Sequence, residues 1–169
     1  SRAAAPNPDK PLSDPSKLGV RVGPGMRVVN LVVQFAGVSR TREQLQRDVR
    51  VLDAIYKQAC IRFEILDADI IADPKLPTGE EPPEETIPSD MPGANMGEYA
   101  AFVKDQSTKV NVFLVSRVAQ EDDDINTAGL ARNAGQYCCV EGGLGAAIFQ
   151  TTLAHELGHV LGDLDEAYP

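Results

Sequence analysis

The chain has 169 residues, 43% of them hydrophobic and 24% charged, with a formal net charge of −9. That length fits one domain with a sizeable core, and the acidic balance argues against nucleic acid or an anionic membrane surface as the main partner, since each requires a basic face. No apolar run approaches the ~20 residues that span a bilayer, and no signal-peptide pattern leads the chain, although a removed export signal would leave no trace.

Residues 1–24, "SRAAAPNPDKPLSDPSKLGVRVGP", carry five prolines and no apolar period, and read as an extended arm before a domain over 25–169. "RVVNLVVQF" (27–35) is a β-branched apolar run, the mark of a buried strand. The period then changes. In "SRTREQLQRDVRVLDAIYKQA" (39–59), Leu45, Val49, Leu52, Tyr56 and Ala59 fall on one helical stripe, and Thr41 followed by Gln44 resembles a capping box. "IRFEIL" (61–66) alternates as a half-buried strand and continues through "DADII", which completes a strand–helix–strand opening.

The stretch 72–93, "ADPKLPTGEEPPEETIPSDMPG", has six prolines and predicts a long surface excursion. A shorter helix is expected from Asn95 to about Asp105, then a third strand over 109–118, "KVNVFLVSRV". The acidic run "EDDD" (121–124) reads as a solvated loop; a calcium site there would lack the spacing of an EF-hand. "TAGLAR" (127–132) predicts a short edge strand, about 138–142 a brief strand or turn, and about 150–161 the last helix.

Of the three cysteines, Cys138 and Cys139 are neighbours, and neighbours rarely close a ring with each other. Either Cys60 pairs with one of them, or all three stay thiols, or one lies near a metal; spacing does not choose among these.

The last helix holds the only two histidines of the chain, in "LAHELGHVLGDLDEAYP" (153–169). On an α-helix four residues turn about 400°, so His155 and His159 project from one face, one turn apart. Two imidazole nitrogens in that arrangement can grip one zinc ion. Glu156 sits one position round, where its carboxylate reaches a metal-bound water and can act as general base. HExxH on a helix is a pattern with a mechanism attached. An exposed His-Glu-His face would be mere solvated surface, but the flanks Ile148, Phe149, Leu153, Leu157, Val160 and Leu161 are apolar and predict a buried helix.

Catalytic zinc takes three protein ligands and a water. With no third histidine, the third ligand is a carboxylate or a cysteine. Gly162 can leave the helix with positive φ and turn the chain back. That favours Asp165; Asp163 follows the turn too soon, Glu166 stands in reserve, and the cysteines are the weaker alternative.

"HELGHVLGDLD" reads as HExxHxxGxxD and resembles the metzincin metallopeptidases, whose longer motif ends in a third histidine. The aspartate form is similar to that of the snapalysin-like bacterial metzincins, and "DLDEAYP" looks like the "DEY" that follows the zinc motif in IgA-peptidase-like ones. The order of expected elements also resembles the metzincin upper subdomain: an α/β unit with a mixed, twisted five-stranded sheet, a long backing helix and an active-site helix. The resemblance implies Zn2+ held by His155, His159 and Asp165, with Glu156 as base and proton shuttle. It implies a protein or peptide substrate paired antiparallel with the edge strand around 127–132.

The family carries a methionine turn downstream of the third ligand. Here Met26, Met91 and Met96 all lie upstream, and four residues follow Asp165. The lower subdomain and the methionine turn are therefore expected to be absent, with the chain truncated after the zinc motif. The favoured explanation is a fragment of a larger protein; the others are a second chain that completes the cleft, or a natural lack of the lower wall. Metzincin zymogens are silenced by a pro-segment group, a role open chemically to Asp9 or Asp14, although a floppy arm is the plainer reading.

The expected function is zinc-dependent endopeptidase activity by a secreted protein. The alternative is a zinc-binding metzincin-like module that is latent without a C-terminal subdomain and acts in binding rather than turnover. A further rival is a zinc hydrolase of non-peptide amides.

Overall fold

The structure, a computed structural model, describes residues 26–71, 96–118, 128–132 and 137–162. The expectations for the 1–24 arm, the 72–93 excursion, Asn95, the 121–124 acidic run, and Asp163, Asp165 and Glu166 lie outside those residues.

Five strands form one mixed sheet: β1 (Arg27–Ala36), β2 (Ile61–Ile71), β3 (Lys109–Val115), β4 (Gly129–Arg132) and β5 (Tyr137–Glu141), in the order β2-β1-β3-β5-β4. β1 pairs in parallel with β2 and β3, and β3 in parallel with β5; only β4 runs antiparallel, against β5. The architecture is α/β with a five-stranded mixed sheet. β1 is a continuous apolar run because it lies inside the sheet and both of its faces are covered. Val29, Leu31, Val33 and Phe35 enter the larger core, while Val32, Gln34 and Ala36 face the other side. Leu31 pairs with Ile65 but Val33 with Ile70, so β2 bulges between those pairs.

Two helices cover one face. α1 (Arg42–Tyr56) starts at a true capping box: the Gln44 N–H donates to Thr41 Oγ1 at 3.1 Å, and the Thr41 N–H donates to Gln44 Oε1 at 2.8 Å. Leu45, Val49, Leu52 and Tyr56 are buried as the stripe predicts; Ala59 is exposed. The α-helix stops at Tyr56, and none of the residues of the 3-10 turn that follows it (Lys57–Ala59) is buried. Cys60 then takes a left-handed conformation (φ 55°) that aims the chain into β2.

α2 (Ala146–Leu161) begins four residues earlier than the apolar pattern places it, through an exposed turn of Ala146, Ala147 and Ile148. Ile148, expected on the buried flank, is 61% exposed. The buried stripe is Phe149, Leu153, Leu157 and Val160, with Ala154 beside it.

Among the described residues, the helical segment on the opposite face is the 3-10 stretch Met96–Phe102, which stops short of the Asp105 expected for the shorter helix. Tyr99 packs with Phe113, Tyr137 and Cys139 of the sheet. Two buried amides tether the end of that segment and the residues after it. Gln34 Nε2 donates to Phe102 O (2.7 Å) and to Asn111 Oδ1 (3.0 Å), while Asn111 exchanges bonds with the Lys104 N–H (3.0 Å) and Lys104 O (2.8 Å). Each buried polar group finds a partner and fixes the segment to the sheet.

Cys60, Cys138 and Cys139 are all free thiols. Cys60 opens β2, whereas the other two lie three strands away on β5, and strands spaced ~4.8 Å put them far beyond the reach of a disulfide.

Candidate metal centre

Three contacts fix α2 where it lies. Arg40, before α1, pairs with Asp48 of α1 and stacks over the Phe149 ring, 3.9 Å from guanidinium carbon to centroid. Gln150 Nε2 donates to Asp48 Oδ1 at 3.0 Å. Further along, the Tyr56 hydroxyl donates to Ala154 O at 2.6 Å, one residue before His155. The helix is thus anchored at the start and near the middle of its buried stripe.

On the helix so held, the Nε2 atoms of His155 and His159 stand 3.0 Å apart, with their rings nearly perpendicular. His155 is exposed and His159 half-buried. Two nitrogens at about 2.0–2.1 Å from a shared ion subtend roughly 95° when 3.0 Å apart, against about 109° in a tetrahedron. A slight opening of the pair would meet a zinc ion. The residues fit the metal as two of its ligands; among the described residues no group of three or more His, Cys, Asp or Glu converges.

Glu156 is 7% exposed, lodged between α2 and the edge strand β4. Burial pushes its carboxyl above the ordinary range, while His155 and His159 pull it back down. A carboxyl so buried keeps its proton to a higher pH than an exposed one does. Gly129 of β4 lies against it: a Cβ there would stand 2.7 Å from Glu156 Cγ. Sequence reasoning did not single out Gly129, though a glycine inside a strand pattern is itself a sign of close approach.

Gly162 ends α2 differently from expectation. Its φ of 164° is extended backbone open to any residue, not the left-handed turn. Its N–H still closes the last helical bond to Gly158 O at 3.1 Å.

Burial raises the thiols of both Cys138 and Cys139 well above their usual range, and the nearby Glu156 carboxyl adds to this. A cavity of about 370 Å³ opens beside His155, lined by Ile55, Tyr56, Ala59, Thr151 and Ala154. No helix among the described residues is long and apolar enough to cross a membrane.

No protein-family model matches this chain, and no curated protein matches it in sequence.

Proposed function

We propose that the chain is a metzincin-type zinc-dependent endopeptidase domain, holding an upper subdomain and its active-site helix. The observation that carries this reading is the convergence of His155 and His159 Nε2 to 3.0 Å with the buried Glu156 between them, on a helix packed under an edge strand. His155 and His159 would hold the ion, with Asp165 as the third ligand. When bound, zinc supplies Lewis-acid polarisation of a scissile carbonyl and acidifies water towards neutrality. Glu156 accepts a proton from the attacking water and returns it to the leaving amine. Its burial keeps bulk water from competing for that proton. The substrate is an extended peptide that adds a strand beside β4, the last strand in the sheet order. An exported protein acting on other proteins suits this chemistry and the acidic surface.

The test is hydrolysis of a mixed quenched-peptide library by the zinc-loaded chain beside its Glu156→Ala variant. Activity in the parent and none in the variant, with zinc bound in both, supports the peptidase. Equal silence in both, with zinc bound, favours the second reading, a latent zinc-binding module completed by a further segment or a second chain. That reading draws on the two-ligand count among the described residues.

A further inference from the structure

We propose that Gly129 is a positioning residue for Glu156, its missing side chain being the slot in which the glutamate lies. The inference rests on the reading of Glu156 as general base. A Cβ at position 129 would meet Glu156 Cγ at 2.7 Å, Glu156 Cδ at 3.2 Å and Thr152 Cγ2 at 3.0 Å. The first distance is shorter than packed carbon atoms tolerate.

The backbone does not ask for glycine here. Among the described glycines only Gly37 has its φ in the left-handed region, so Gly129 sits in conformational space that alanine shares. Glycine also weakens a strand, since it has no side chain to pack and more freedom to lose. A glycine kept in an edge strand at that disadvantage, with no conformational need, is there for space. The space belongs to Glu156.

Nor can the strand step back. Gly129 pairs with Val140, and Glu141 N–H donates to Ala128 O at 2.9 Å, so β4 is fixed to β5. α2 packs against both strands. A side chain at 129 would therefore displace Glu156 rather than the backbone. Gly129 thus keeps Glu156 in the place from which the proposed general base acts.

The experiment pairs Gly129→Ala with kinetics, zinc affinity and a melting cycle. In the zinc-loaded chain, Gly129→Ala should lower kcat by ~10²-fold or more, the scale of a misplaced general base, and leave KM within about twofold. Zinc affinity, measured by competition with a chromophoric chelator, should stay close to that of the parent, so that the loss of kcat is read at equal zinc occupancy. The melting temperature should fall on Gly129→Ala in the parent, yet stay level or rise when the same change is made in Glu156→Ala. A Thr152→Ser background removes the Cγ2 contact as a control and should leave the fall in place. An unchanged kcat, or an equal fall in the parent and Glu156→Ala backgrounds, would overturn the proposal. So would a fall that vanishes only with Thr152→Ser. A parent without peptidase activity would sink the proposed function instead, and the melting cycle would then decide alone whether Gly129 sets the place of Glu156.

Discussion

Arg40 grips Asp48 with two bonds, Nε to Oδ2 at 2.8 Å and Nη2 to Oδ1 at 3.0 Å, and both side chains are buried. The forked geometry matches guanidinium to carboxylate, and the face of the guanidinium is used as well, over Phe149. One ion pair thereby joins the segment before α1, α1 itself and the start of α2. Breaking it by Asp48→Ala leaves a buried, unpaired cation, a change that costs about 3–5 kcal/mol. At about 2–4 °C per kcal/mol for a chain of this size, the melting temperature should drop by roughly 10 °C. The double change Arg40→Met with Asp48→Leu removes both charges and should lose far less. Thermal melts of the three proteins check this, and a single variant that melts with the parent would sink it.

That ion pair was not legible in the sequence, whereas most of the sheet was. β1 and β3 announce themselves because β-branched apolar runs suit strands covered on both sides, and β2 does so by the alternation of a half-buried strand. α1 shows its stripe and its capping box, both local signals. What escaped depends on contacts between distant segments. Arg40 and Asp48 look like ordinary charges until the fold buries them together, and Gly129 looks like a weak strand residue until Glu156 lies against it. The start of α2 was misplaced because Ala146, Ala147 and Ile148 are exposed and carry no buried stripe to mark the first turn. For the metal centre, the His155–Glu156–His159 spacing alone implied the convergence of the two rings, since helix geometry fixes it. The φ of Gly162 was misjudged because glycine permits a left-handed turn without requiring it.

Zinc should act as a folding ligand as well as a cofactor. At about a hundred times its Kd, a ligand that binds only the native state adds about 2.7 kcal/mol. For a chain of this size that raises the melting temperature by roughly 5–10 °C. Differential scanning fluorimetry with zinc, and then with excess chelator, should show the rise and its reversal. In His155→Ala and His159→Ala the rise should largely disappear. The same zinc shift in a variant lacking both histidines would place the ion elsewhere.

Thiol reactivity separates the cysteines by burial. Cys60 is exposed on its turn, whereas Cys138 and Cys139 are buried on β5 with thiols pushed upward by that burial. A thiolate is the reactive species, so the native protein should titrate about one thiol with Ellman's reagent, and all three in denaturant. Cys60→Ser should abolish the native reaction. Fast reaction of a second thiol in the native state would contradict the packing of β5.

Asp53 supplies a pH dependence with a definite sign. It is buried on α1, and its Oδ1 accepts a hydrogen bond from the Phe63 N–H at 2.7 Å. Desolvation raises its carboxyl above the ordinary 3.8, outweighing the opposite pulls of that bond and of Arg62. The folded protein therefore holds this proton more tightly than the unfolded chain does. Its contribution to stability is full below pH 3.8 and is lost as pH rises through the raised folded value. Asp53→Asn keeps an oxygen for Phe63 but carries no charge to bury. The variant should match the parent near pH ~3.5 and become the more stable of the two as pH approaches ~7. Urea unfolding at a series of pH values measures the difference directly. A variant less stable than the parent at neutral pH would mean that the attraction to Arg62 outweighs the burial of the charge.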